Sequence, residues 1–80
     1  MPRTNIGKPK ELVQLEQELR EFVDGARYMT LSDISRSLGI RDNKIIYEMM
    51  RPFPAMVMPS GRKRWKLEDV ARMEYQRTVS

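Results

Sequence analysis

The residues that could do chemistry in this sequence are cations grouped around its only tryptophan, Trp65. Four of them flank it within five positions: Arg62, Lys63, Arg64 and Lys66. Between residues 51 and 66 the chain carries five cations and no acid. Such side chains neutralise the phosphates of nucleic acids and release their counterions. The stretch therefore predicts a nucleic-acid-binding surface, although a run of charge can also be an ordinary solvated face.

The absence of two residue types excludes most catalytic and metal chemistry. The 80 residues include no Cys and no His, so disulfides, thiolate or imidazole metal sites and the usual general base near neutral pH are all excluded. We therefore expect no enzyme, no metal and no cofactor. The apolar runs are short, which predicts a cytoplasmic protein with no membrane span and no signal peptide.

Charge is unevenly distributed along the chain. Residues 1–10 carry three cations, residues 11–24 carry five acids against a single arginine, and residues 51–66 are purely basic. Separate acidic and basic segments indicate charged binding surfaces rather than evenly distributed charge that only keeps a protein in solution.

A first amphipathic helix is predicted from Pro9 to Gly25. Its apolar residues recur at spacings of three and four: Leu12, Leu15, Leu19, Phe22 and Ala26. We expect residues 1–8 to be a flexible basic tail and residues 9–80 to be one domain. The apolar face could pack on that domain or pair with a second copy. Packing within the domain is favoured, because two heptads are marginal for a coiled coil.

Two short helices joined by a tight turn follow. Thr30 and Asp33 form a capping-box pattern, and Gly39 suits the left-handed residue that ends a helix. Asp42 suits the N-cap of the next helix. This pattern is typical of a helix-turn-helix. In the second helix we expect the apolar pairs Ile45, Ile46, Met49 and Met50 to face inward.

The outward side of that second helix carries the candidate base-reading residues. We expect the major groove to be contacted by Arg41, Asn43, Lys44, Tyr47 and Arg51. Glu48 could accept a hydrogen bond from a cytosine amino group or pair with Lys44 four residues earlier, and the pairing is favoured.

A β-hairpin and a last helix complete the predicted fold. Prolines 52 and 54 stop the second helix, residues 55–58 and 63–66 form two strands, and Ser60-Gly61 is the turn centre. Strand alternation points Trp65 inward and Arg64 and Lys66 outward. We therefore predict a mostly α protein with a β-hairpin, a winged helix-turn-helix preceded by an extra N-terminal amphipathic helix. The hairpin residues expected on the DNA backbone or minor groove are Ser60, Arg62, Lys63, Arg64 and Lys66.

Over about residues 28–75 the sequence resembles the MerR-type winged helices in their minimal form, as in phage and integrative-element excisionases and AlpA-type regulators. The matching motifs, in order, are Leu38-Gly39-Ile40, Ile46-Tyr47, Phe53-Pro54, Gly61-Arg62, and Trp65 followed by Glu68-Asp69-Val70. The resemblance implies a small DNA-binding protein of a mobile element, phage or plasmid. It would act as an excisionase (a recombination directionality factor) that directs an integrase, or as a transcription regulator.

The partners that follow are double-stranded DNA, an integrase, and a second copy in a homodimer or a side-by-side assembly on DNA. Two other functions stay open. A winged helix can be a protein–protein interaction module whose acidic first helix docks on a basic surface. Alternatively, an exposed Trp65 could stack on the bases of a single-stranded nucleic acid.

Overall fold

The computed structural model describes the backbone of residues 8–79 and the side chains of residues 8–78, and within this range the chain forms four helices and a small antiparallel sheet. In chain order the elements are α1 (Lys10–Phe22), β1 (Tyr28–Thr30), α2 (Leu31–Leu38), α3 (Asn43–Met50), β2 (Ala55–Val57), β3 (Lys63–Lys66) and α4 (Leu67–Val79). The predicted mostly helical architecture with a β-hairpin is confirmed. Of the predicted flexible tail, residues 1–7 lie outside the described residues.

Helix α1 ends at Phe22, three residues before Gly25, the predicted end of the helix. Asp24 and Gly25 both adopt positive φ angles, 54° and 80°, and two left-handed residues in a row turn the chain away from the helix axis. Ala26 consequently lies outside the helix and is exposed, so its predicted place on the apolar face is wrong. At the other end, Lys8 is not part of a free tail, because its Nζ lies 3.0 Å from Oε2 of the buried Glu16.

The apolar side of α1 packs along α4 within the same chain. Leu12 and Leu19 are buried in the same core as Val70 and Met73 of α4. Burying each leucine contributes about 1.5–3 kcal/mol relative to leaving it in water. The burial of both leucines is therefore explained by packing within the domain, which was the favoured alternative for this helix. Phe22 differs, since 46% of it remains exposed.

The sheet has a third strand that the sequence analysis did not predict. β1 pairs with β3, which lies between β1 and β2, and all pairings are antiparallel. Across the sheet Met29 lies opposite Trp65, and Trp65 lies opposite Ala55. These positions share one face, and on it Met29 and Trp65 are buried, with 0% and 3% exposure. β1 thus ties the start of α2 to the hairpin of β2 and β3.

The three helix-cap predictions are confirmed. The Asp33 amide donates to Thr30 Oγ1 at 3.1 Å, and the Thr30 amide donates to Asp33 Oδ2 at 3.1 Å. Gly39 ends α2 with a φ of 72°, and Asp42 caps α3 by accepting from the Lys44 amide at 2.9 Å. These caps satisfy backbone amides that have no partner inside the helix.

The environment of Asp33 stabilises its charged form. Burial raises the pKa of Asp33, but hydrogen bonds from the Thr30 amide, from Arg36 and from the Thr30 side chain outweigh it and lower the pKa below its ordinary value. A depressed acid pKa stabilises the fold above the ordinary pKa. That contribution is lost only as the pH falls through the lower, folded-state value.

The core of the helix pair departs from prediction at one residue. Ile34, Ile46 and Met50 are buried as expected, whereas Ile45 is 47% exposed. Ile46 and Met50 lie four apart on the stripe of α3 that faces the core. Ile45 and Met49 lie one position to the side of that stripe, where Met49 is partly buried against the core and Ile45 stays exposed.

No helix among residues 8–79 is long and apolar enough to span a membrane.

Removing the capping side chain tests the link between β1 and α2. Thr30→Ala deletes the acceptor for the Asp33 amide and should lower the free energy of unfolding by about 1 kcal/mol, measured by urea denaturation. Thr30→Ser keeps the acceptor and should remain within a few tenths of a kcal/mol of the parent protein. Equal stability of the alanine and serine variants would contradict the capping role.

Candidate nucleic-acid interface

Helix α3 and the hairpin of β2 and β3 form two sides of a groove of about 470 Å³, called here the α3–hairpin groove. Asn43 and Tyr47 line it from α3. The N-terminal half of α2 and its cap form another wall. The remaining lining residues are Thr30, Leu31, Ser32, Ser35, Arg62, Lys63 and Arg64. The structure thus brings five of the predicted DNA-contacting residues to one concave surface.

Tyr47 lies where the helix meets the hairpin. Its ring meets Trp65 edge-on, with centroids 5.9 Å apart and planes at 63°. Lys63 Nζ lies 5.6 Å from the centroid of the same ring. Because Lys63 and Trp65 are two positions apart on β3, they point to the same side of the strand. The aromatic pair and the cation–π contact, each about 0.5–1 kcal/mol, fix the hairpin against α3.

Trp65 itself is part of the core. It is 3% exposed, while its neighbours Arg64 and Lys66 are exposed, as strand alternation predicts. A base cannot stack on a ring that the protein already covers. The burial of Trp65 therefore contradicts the requirement on which single-stranded binding through this residue depends.

All of the charged side chains that line the groove are positive. Its lining includes three cations and no carboxylate. No salt bridge found among residues 8–79 involves Arg62, Lys63 or Arg64. The nearby acid Asp33 is already paired, with Arg36 Nη2 at 2.7 Å from Oδ1. The surface can consequently attract a polyanion without first breaking internal ion pairs.

Arg51 lies on the other side of Tyr47. Together with Lys63 and Glu48 it lines a second depression of about 340 Å³. Its Nη1 donates to Glu48 Oε1 at 3.5 Å, so Glu48 pairs with Arg51 and not, as predicted, with Lys44. Both partners are more than 70% exposed, and such surface pairs contribute little and exchange easily. Arg51 is therefore available to a phosphate beside the groove.

The other predicted residues lie around the groove or away from it. Arg41 and Lys44 are exposed on either side of the Asp42 cap, and Ser60 is exposed in the hairpin turn. Lys66 is separated from this surface. It lines a different depression with Arg27, Tyr28, Glu68 and Asp69, because it pairs across the sheet with Tyr28 and immediately precedes the acidic first turn of α4. Its contact with DNA beside the other hairpin cations stays a prediction.

The contribution of α2 to the groove was missed by the sequence analysis. Thr30 lies opposite Arg64 in the sheet, and this pairing brings the first turn of α2 beside the cations. Ser32 is exposed there, while the Ser35 hydroxyl donates to the Ile40 carbonyl and holds the turn between the helices. Hydroxyls and helix-start amides are common phosphate donors. The capping box was the available signal, but its place depended on the unpredicted strand β1.

Metal chemistry finds no support in the described part of the chain. Among those residues no group of three or more His, Cys, Asp or Glu side chains could hold a metal ion. What the surface offers is hydrogen-bond donors and positive charge. These groups bind anions.

The burial of Trp65 has a direct spectroscopic consequence. As the only tryptophan, it should emit at blue-shifted wavelength in the folded protein, and iodide should quench it several-fold less than in urea-unfolded protein. Adding a single-stranded oligonucleotide should leave that protection unchanged. A red-shifted, freely quenched emission in the folded protein would contradict the position of Trp65.

Comparison of the chain with protein-family models, with curated proteins and with solved structures gives no match.

Proposed function

We propose that this protein binds duplex DNA as a winged helix-turn-helix, with α2 and α3 as the helix pair and the β2–β3 hairpin as the wing. One observation carries the proposal: an acid-free groove lined by three cations of the hairpin and by Asn43 and Tyr47 of α3. Polyanion binding needs such a concentration of positive charge, and an exposed helix beside it is one of the elements that can read a duplex.

Helix α3 is suited to the major groove. An α-helix with its side chains is about 10–12 Å in diameter, which matches the width of the major groove, about 12 Å. Asn43 and Lys44 in its first turn and Tyr47 one turn later are exposed. An asparagine amide can bond both hydrogen-bonding groups of an adenine edge, and a lysine can donate to guanine. These three residues would carry sequence preference.

The wing would supply affinity. Arg62 and Arg64 are exposed cations beside the groove, and Lys63 is oriented by its contact with Tyr47. Ser32 and the start of α2 would donate to a phosphate on the other side of the groove. Contacts to phosphates position the protein but do not distinguish one base pair from another.

The resemblance to minimal MerR-type winged helices suggests the biological setting. A protein of this kind would work in the cytoplasm of a bacterial or phage-infected cell, on the DNA of a mobile element, phage or plasmid. It would direct an integrase as an excisionase or regulate a promoter. Side-by-side binding of copies on repeated sites would raise its affinity.

A wing charge can be tested by its salt dependence. Arg62→Ala should weaken binding to a specific and to a random duplex by similar factors. It should also reduce the slope of log K against log salt by about one, because one fewer phosphate is neutralised. Fluorescence anisotropy between about 50 and 200 mM salt measures both quantities.

Arg20→Ala is the matched control, since it removes the same charge from an exposed position on α1 that lines a depression with Glu21 and Asp24. This variant should keep the parent slope. An equal loss of slope in both variants would show that only net charge matters. A change in sequence preference alone for Arg62→Ala would contradict the backbone role of the wing.

A further inference from the structure

A further concave surface lies between α1, α2 and α4. It is a cleft of about 210 Å³, called here the α1–α4 cleft, and its lining residues are Leu15, Glu18, Leu19, Phe22, Arg36, Ser37 and Glu74. It shares no lining residue with the α3–hairpin groove. A ligand of this cleft would therefore contact residues that the proposed DNA surface does not use.

The cleft has an apolar part that the fold does not cover. Phe22 is 46% exposed although it continues the apolar stripe of α1, and Leu15 beside it is only partly buried. The Arg36 guanidinium lies 5.6 Å from the Phe22 ring centroid, but its charge is matched by Asp33. A large aromatic side chain left beside a cleft is a common anchor for a protein partner.

The cleft also has an uncompensated acidic part. Glu18 and Glu74 line it, and neither belongs to a salt bridge found among residues 8–79. Oε2 of Glu74 is buried and has no hydrogen-bond partner. Burial, together with the charge of Glu18, raises the pKa of Glu74 above its ordinary value. A cation bound where the two carboxylates line the cleft would relieve the repulsion between them.

Exposed acids outnumber exposed cations on the helix that carries Glu18. Besides Glu18, helix α1 and the turn after it expose three acids, Glu11, Glu21 and Asp24, and two cations, Lys10 and Arg20. This surface repels the phosphates of a nucleic acid and attracts a basic protein surface.

We propose that the α1–α4 cleft docks a positively charged segment of a partner protein, with a Lys or Arg side chain between Glu18 and Glu74 and an apolar side chain against Phe22. Charge complementarity selects a basic segment, and the exposed aromatic ring adds the apolar contact that a purely ionic surface lacks. This surface goes beyond the proposed DNA binding, because the partner could be held while the α3–hairpin groove is occupied by DNA.

The test uses a defined probe, a fluorescein-labelled peptide of alternating lysine and leucine pairs, with a second peptide in which every lysine is replaced by glutamine. Titration into ¹⁵N-labelled protein at about 150 mM salt, where long-range attraction is screened, should shift the amides near Glu18, Phe22 and Glu74. The glutamine peptide should bind at least about tenfold more weakly, a difference equivalent to the loss of one good charged contact.

Matched variants separate the cleft from general acidity. Glu18→Gln with Glu74→Gln should weaken the lysine peptide about tenfold. Glu11→Gln with Glu68→Gln removes the same charge outside the cleft and should change the affinity less than twofold. Phe22→Ala should also weaken binding, and provides a second variant should the double glutamine variant not fold. Equal weakening by both glutamine pairs, or shifts located elsewhere, would overturn the proposal.

One further outcome would identify a different occupant. If the same amides shift when the unliganded protein is concentrated, and Arg62→Ala abolishes that shift, the cleft binds the wing of a second copy and the proposed partner is wrong. The affinity of the Glu18→Gln, Glu74→Gln variant for duplex DNA should stay within twofold of that of the control pair. If Arg62→Ala weakens DNA binding but leaves peptide binding unchanged, DNA binding by the groove and peptide binding by the cleft are independent of each other.

Discussion

The arrangement of the candidate interface depends on the burial of one side chain, Trp65. Through the sheet register it lies opposite Met29 of β1 and Ala55 of β2, and through its ring it contacts Tyr47 of α3. A hairpin of strands three and four residues long is marginal in isolation. The buried indole fixes the orientation of the hairpin, and this in turn fixes the positions of the cations on either side of Trp65. Without this contact the same charges would lie on a mobile loop.

The second organising feature is the separation of charge. The acids of the first helix and the cations of the hairpin lie far apart in sequence, and the fold keeps them on different surfaces: Glu18 lines the α1–α4 cleft, and Arg62, Lys63 and Arg64 line the α3–hairpin groove. None of the three salt bridges found in the described residues joins an acid that lines the cleft to a cation that lines the groove. Opposite charges that are not neutralised internally remain available to different partners. The proposed DNA surface and the proposed docking cleft follow from this separation.

Features encoded by neighbouring residues could be predicted from the sequence, and those that depend on distant pairing could not. The capping box of Thr30 and Asp33, the left-handed Gly39 and the Asp42 cap are local, and all three were predicted correctly. Strand β1 has only three residues, and its existence depends on pairing with β3 more than thirty positions away. Because β1 was not predicted, the contribution of α2 to the groove and the position of Lys66 opposite Tyr28 could not be predicted either. The sequence also could not show whether Glu48 pairs with Arg51 or with Lys44, because both spacings allow an ion pair on a helix.

DNA binding by the α3–hairpin groove is tested most directly by a map of amide shifts in ¹⁵N-labelled protein on addition of a random duplex. We expect shifts for Asn43, Tyr47 and residues 62–64 at about 50 mM salt, and loss of these shifts by about 200 mM salt, because phosphate contacts weaken with salt. Amides of α1 and α4 near the cleft should stay unchanged. Absence of any shift at low salt, or shifts confined to α1 and α4, would contradict DNA binding by the α3–hairpin groove.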